Sequence, residues 1–234
     1  MREALAAALH EEIATLTPIA GGDLNDAFCA TLAGGRRAFV KTAPDAAPGA
    51  YAAEAAGLRW LGQAGGLPVP EVLAVGERYL ALAWIEPGHE PLDAAALGRG
   101  LAQVHRAGAA APGALPPGVD GNNLILGPLA LPNDPVPSWP AFYAANRLLP
   151  LARMAADRGA LDRDGVAAVE RVCARIDDLA GPAEPHARLH GDLWSGNVHA
   201  GADGRPWLID PAAYGGHREI DLAMLSLFGS VSAA

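Results

Sequence analysis

At 234 residues the chain is long enough for one large domain or two packed lobes. Acidic side chains outnumber basic ones by 26 to 17, a net charge of -9, and no run of bases supplies the cationic stripe that phosphate backbones require, so no nucleic-acid partner is expected. The longest unbroken apolar stretch, the seven residues Tyr79–Ile85, falls far short of the roughly 20 that span a bilayer, and the N-terminal MREALAAALHEE lacks a signal-peptide layout; no membrane partner and a cytoplasmic location are expected.

Leu5, Leu9 and Ile13 recur every four residues, which predicts a short amphipathic helix over about 1–14. Gly21-Gly22-Asp23-Leu24-Asn25-Asp26 follows, then two β-favouring runs, about 27–32 and 36–41, joined by Ala33-Gly34-Gly35: a hairpin signal. Cys29 lies on the first of these strands and reads as a small core residue, with redox sensing as the alternative; two cysteines, Cys29 and Cys173, define neither a disulfide framework nor a zinc site. The second strand ends in Phe39-Val40-Lys41. Of the 17 basic side chains 16 are arginine and Lys41 alone is lysine. A chain that has otherwise exchanged its lysines keeps one where a slim stem and a compact charge must reach a phosphate, a task a guanidinium does not perform. A helix over about 50–63 carries Glu54, which could orient that ammonium. Strand-like runs at 71–75 and 78–85 complete a small antiparallel sheet, and Pro87-Gly88 then breaks the chain, so a first lobe over 1–86 and a second over 87–234 are predicted.

Asp93 can cap a helix that turns Leu97, Leu101 and Val104 to one face and stops at Gly108; His105 and Arg106 at its end suit the helix dipole. Residues 112–140 hold eight prolines, which predicts an ordered, irregular excursion able to carry substrate contacts, with no strand run before residue 187. Helical patterns resume at about 141–158 and 163–179. The chemistry concentrates in His190-Gly191-Asp192-Leu193-Trp194-Ser195-Gly196-Asn197, followed by Trp207-Leu208-Ile209-Asp210. Phosphoryl transfer needs a carboxylate to take the hydroxyl proton and oxygen ligands for Mg²⁺ on the phosphates; Asp192, Asn197 five residues on and Asp210 after an apolar strand supply these types. The pattern H-x-D-L-x-x-x-N is the protein-kinase catalytic loop with glycine where arginine is usual.

With HGDLWSGN (190–197), AGGDLNDAF (20–28), FVKT (39–42), GNNLILGPL (121–129) and DPAAYGGHREIDLAM (210–224), the sequence resembles the fructosamine kinase or ketosamine 3-kinase family of the protein-kinase-like superfamily. The resemblance implies an α+β, bilobal protein-kinase-like fold, with a small antiparallel-sheet lobe carrying one main helix and a mostly helical second lobe. It implies ATP-dependent phosphorylation of the sugar 3-hydroxyl of ketosamines, fructosamine or ribulosamine adducts, which frees the amine. Its cofactors are ATP and Mg²⁺, its partner a small or protein-linked ketosamine. Lys41 would hold the phosphates, Glu54 orient it, Asp192 act as base, and Asn197 and Asp210 bind Mg²⁺. Gly21 and Gly22 would cover the nucleotide, and the run holding Leu82 and Trp84 would present backbone groups to adenine. Trp194 and His217 are candidates for substrate contact, and Asp221 could brace the catalytic loop. The chain stops short of the usual family length. The alternatives are an amino-sugar kinase such as an aminoglycoside kinase, or a truncated kinase-like protein that binds nucleotide without turnover.

Overall fold

Helix α1 (Arg2–Leu9) ends at His10, which takes a left-handed conformation (φ 52°), and the chain turns directly into strand β1 (Ile13–Ile19). The helix predicted through residue 14 therefore stops a turn early. Ile13, the third apolar residue of the helical pattern, is instead buried in the sheet core beside Leu5, and the Thr15-Leu16-Thr17 sequence that follows suits a pleated strand. The computed structural model describes residues 1–19 and 25–228; the Gly21–Gly22 turn lies outside the described residues.

Strands β2 (Asp26–Leu32), β3 (Arg37–Thr42), β4 (Val72–Gly76) and β5 (Tyr79–Ala83) join β1 in an antiparallel sheet of order β1-β2-β3-β5-β4. Its two faces follow from strand alternation. Ala38, Val40 and Ala81 point with Ala30 and Leu32 into a cluster closed by Leu5 of α1. Phe39, Leu80 and Leu82 point the other way, onto Tyr51, Ala55 and Leu58 of helix α2 (Ala50–Gly62). Lys41 is the next residue of that second set and sits opposite Leu80 in register, so the pleat turns its side chain toward α2. Cys29 is half-buried and outside the core clusters, so the expected core role is only partly realised.

After β5 the chain runs along the second lobe. Gly88 N–H donates to the Ala200 carbonyl (2.7 Å) and Ala202 N–H to that of Glu86 (2.7 Å). Helix α3 (Ala94–Arg106) is capped by Asp93, whose Oδ1 accepts from Ala96 N–H at 2.8 Å. The proline-rich excursion is not wholly irregular: β6 (Asn123–Leu126) and β7 (Leu129–Pro132) form a hairpin turning at Gly127-Pro128. Helix α4 (Trp139–Tyr143), a π-helical turn (Ala144–Leu148) and α5 (Leu149–Asp157) pack against it, and α6 (Arg163–Cys173) and α7 (Ile176–Leu179) pack in turn on these helices. Two short antiparallel ladders follow, β8 (Ala187–Leu189) with β11 (Tyr214–Gly216) and β9 (Val198–Ala200) with β10 (Pro206–Leu208), and then helix α8 (Glu219–Leu227). No helix among the described residues is long and apolar enough to cross a membrane.

Candidate active site

The loop between β8 and β9 depends on a buried acid from α8. Asp221 has no exposed surface; its Oδ1 accepts from Gly191 N–H (3.0 Å) and its Oδ2 from His190 N–H (3.0 Å) and the His105 ring (2.9 Å). His105, in the last turn of α3, is thus structural as expected, and this bond to Asp221 is its specific contact. His190 is also fully buried, and its two ring nitrogens have different partners. Nε2 lies 2.8 Å from the Ile209 carbonyl and can only donate, while Nδ1 accepts from Asp192 N–H at 3.3 Å. That assignment needs a neutral ring, and burial holds the His190 pKa below its ordinary value against the pull of Asp221. One imidazole therefore ties Asp192 to the strand that delivers Asp210.

Gly191 explains the departure from the protein-kinase motif. Its φ is +81°, and a Cβ there would stand 2.0 Å from the Ala212 carbonyl oxygen. No side chain fits between the loop and the segment after Asp210. Asp210 itself takes φ 52°, a left-handed conformation that aspartate tolerates better than most residues.

These constraints bring the two ends of the chain together. Lys41 Nζ lies 2.5 Å from Glu54 Oε2 and 3.0 Å from Asp210 Oδ1. Burial opposes the charge on Lys41, but the two carboxylates outweigh it and hold the pKa above the ordinary lysine value. Burial pushes Glu54 up to about 7 despite the neighbouring ammonium, and its Oε1 is buried with no hydrogen-bond partner among the described residues. Asn197 donates through Nδ2 to the Asp192 carbonyl (2.7 Å) and to Asp192 Oδ2 (3.2 Å), which leaves its amide oxygen as the atom a cation could use. Burial raises the Asp192 pKa, with His190 and Asn197 acting in the opposite sense.

Lys41, Glu54, Asp192, Trp194, Asn197 and Asp210 all line one cleft of about 320 Å³. Trp194 is 40% exposed, and its ring lies so close over Gly196 that a Cβ there would come within 2.3 Å of it. The other predicted residues lie elsewhere. Leu82 is buried against α2, and the Trp84 ring sits under the Arg37 guanidinium at 5.1 Å, its Nε1 buried with no hydrogen-bond partner among the described residues. His217 pairs with Glu184 at 3.7 Å and packs near Trp139, outside the cleft lining.

Sequence reasoning did not single out the opposite wall, where Leu124, Leu126 and Pro128 of the β6–β7 hairpin face the cleft. Nor did it find the buried Arg147, which donates to Asn133 Oδ1 (2.7 Å) and the Pro132 carbonyl (2.7 Å) and so anchors the base of that hairpin. Two apolar runs about Gly127-Pro128 were the available signal. Opposite them, Tyr51 Oη donates to Asn25 Oδ1 at 2.9 Å.

A sheet lobe that supplies a carboxylate-paired lysine to a loop holding Asp192 and Asn197, with Asp210 beyond, defines a phosphotransferase of the protein-kinase-like, bilobal α+β class. The comparisons are narrower. The fructosamine kinase family model matches residues 2–234, and the chain belongs to that family. It is 39% identical over 219 residues to a probable ketoamine kinase of Thermus thermophilus, covering 91% of this chain and 72% of that protein. A crystal structure of a Thermobifida fusca protein assigned as a fructosamine-3-kinase superposes with a TM-score of 0.86 at 44% identity, over 98% of this chain and 78% of that one. A macrolide 2'-phosphotransferase, at 20% identity and a TM-score of 0.62 over 97% of this chain and 76% of its own, shares the fold.

Proposed function

We propose that the chain transfers the γ-phosphoryl group of ATP to the 3-hydroxyl of a sugar ketosamine, in the cytoplasm, on free or protein-linked adducts. The observation that carries this reading is the convergence of Lys41, Glu54, Asp192, Asn197 and Asp210 on one cleft from segments up to 169 residues apart. The division of labour follows the lobes, residues 1–86 holding the nucleotide and 87–234 the acceptor.

The donor set suits Mg²⁺. Asn197 and Asp210 offer only hard oxygen ligands, and a pair of protein ligands supplemented by phosphate oxygens and water is how that ion is commonly held. When bound, the ion would neutralise charge on the phosphates. Lys41, fixed by Glu54, offers a second cation to them. Asp192 lines the same cleft, and in this reading it takes the proton of the 3-hydroxyl as that oxygen bonds to phosphorus and ADP departs. The raised pKa of Asp192 favours that acceptance. Trp194 and the apolar hairpin wall offer the flat surface on which a sugar ring stacks. Phosphate at O3 puts a good leaving group on the carbon beside the keto carbon, so the adduct decomposes and the amine is restored.

Incubation with MgATP and a panel of fructosamines, ribulosamines and aminoglycosides, followed by mass spectrometry, tests the reading. A ketosamine heavier by one phosphate, with equimolar ADP, is expected. Phosphorylation of aminoglycosides alone would reassign the acceptor, and thermal stabilisation by MgATP with no product from any acceptor would replace the enzyme with a nucleotide-binding protein.

A further inference from the structure

Arg147 is 4% exposed, and among the described residues every hydrogen-bond partner of its guanidinium is neutral. Nη1 donates to the Pro132 carbonyl (2.7 Å) and the Asn146 carbonyl (2.8 Å), and Nη2 to Asn133 Oδ1 (2.7 Å). The guanidinium carbon lies 4.7 Å from the centre of the Phe142 ring and 4.6 Å from that of Tyr214, contacts that favour a planar cation. Burying a charge on these terms is costly, and an apolar side chain would fill the space at less expense. What neither an apolar side chain nor lysine supplies is a rigid fork with donors on both arms.

The fork grips the end of the β6–β7 hairpin from the π-helical turn. Asn146, the preceding residue of that turn, holds the next position: its Oδ1 accepts from Asp134 N–H (3.0 Å) and its Nδ2 donates to the Asp134 carbonyl (3.1 Å). Asn133 carries the connection onward. Its Nδ2 donates to the Gly113 carbonyl, and Gly113 N–H donates to the carbonyl of Gly215 (2.8 Å), which stands opposite Arg188 in the β8–β11 ladder. Tyr214, whose ring meets the guanidinium, stands opposite Leu189, the residue before His190 of the loop that holds Asp192. Leu124 and Leu131 of the hairpin share one core cluster with Leu189 and Tyr214. Arg147 is therefore bonded to the hairpin and stacked on the ladder that delivers Asp192, while residues 123–128 of the hairpin line the cleft together with Asp192 and Trp194.

We propose that Arg147 is a positioning residue for the acceptor: by fixing the β6–β7 hairpin to the β8–β11 ladder it holds the wall at 123–128 in a set relation to Asp192, and it acts on acceptor binding without acting on the nucleotide. The inference rests on the ketosamine kinase reading for the identity of the acceptor; the attachment of the hairpin is a statement about the free protein.

Arg147→Lys keeps the charge and loses the fork. It should raise the ketosamine KM about tenfold or more, with the KM for ATP within about twofold of wild type. In the unliganded variant the amides of residues 123–131 should exchange hydrogen at least about fivefold faster, with those of β2 and β3 unchanged. A wild-type ketosamine KM, an equal rise in both KM values, or unaltered exchange in the hairpin overturns the proposal. Should Arg147→Lys not fold, Asn133→Ala removes one acceptor of the fork from the hairpin side and must show the same split between the two KM values; its absence there overturns the proposal as well. Ile125 lines the cleft outside that core cluster. Ile125→Ala should also raise the ketosamine KM and, combined with Arg147→Lys or Asn133→Ala, add less than its separate effect; full additivity would show that Arg147 does not act through the wall. A wild-type protein that phosphorylates no ketosamine refutes the kinase reading and the acceptor role with it, and the exchange result still decides whether Arg147 holds the hairpin.

Discussion

Exchange of Lys41 for arginine keeps the charge and changes its shape. The ammonium fits between two carboxylates at 2.5 and 3.0 Å in a site that leaves its side chain 6% exposed, and a planar guanidinium cannot take that place without displacing one of them. Lys41→Arg should therefore lose about 10²-fold or more in turnover, measured by coupled ADP release; near-normal turnover would refute this account of why one lysine persists. Trp194→Ala should raise the ketosamine KM roughly tenfold through lost stacking and leave the KM for ATP unchanged in steady-state assays. Glu54 carries a pH prediction. The folded state takes up its proton near 7 and the unfolded chain near 4.5, so between those values the folded state holds a proton that the unfolded chain lacks. The contribution of this group to stability is then largest below about 4.5 and declines as pH rises to about 7. Urea unfolding across pH 5 to 8 should show that decline in wild type and a flatter profile in Glu54→Gln; identical profiles would exclude Glu54 as its source.

At the scale of elements, α8 and α3 share one buried carboxylate, Asp221, that organises the loop between β8 and β9. Removing it in Asp221→Ala leaves His190 N–H, Gly191 N–H and the His105 ring without an acceptor in a fully buried site, which should cost roughly 3 kcal/mol in denaturant unfolding. A loss below about 0.5 kcal/mol would mean that water replaces the carboxylate without penalty. The sequence made Asp221 legible as a brace because it follows the second aspartate at the start of an apolar helix, but it hid His105, whose partner lies 116 residues away. The hairpin β2–β3, the Asp93 cap and helix α2 were legible because alternation, turn glycines and capping chemistry are local. β1 was not: its Ile13 continues a helical spacing, and only the sheet core decides where that side chain goes. The β6–β7 hairpin was masked by proline density, although both prolines of the pair fall where the ladder allows them, in the turn and at the strand end.

Across the whole molecule, sequence order and spatial order diverge most at the site. Lys41 and Asp210 are 169 residues apart and hydrogen-bonded, a juxtaposition inferred from motif resemblance because no local pattern encodes it. The residues with stereotyped spacing, Asp192, Asn197 and Asp210, were singled out by sequence and line one cleft, and Asn25, Tyr51 and Leu124 of the same lining emerge only from tertiary packing. His217 illustrates the reverse: it follows the chemical segment in sequence but turns toward Glu184 and Trp139. The most direct test of the central claim is a single-turnover experiment with ATP labelled in its γ-phosphate, fructosamine-lysine as acceptor, and wild type beside Asp192→Asn at saturating nucleotide. The label should move to the sugar 3-oxygen in wild type and remain on equally well-bound ATP in the variant, with transfer slowed by about 10² to 10⁴; transfer at a near wild-type rate without the Asp192 carboxylate would contradict the account.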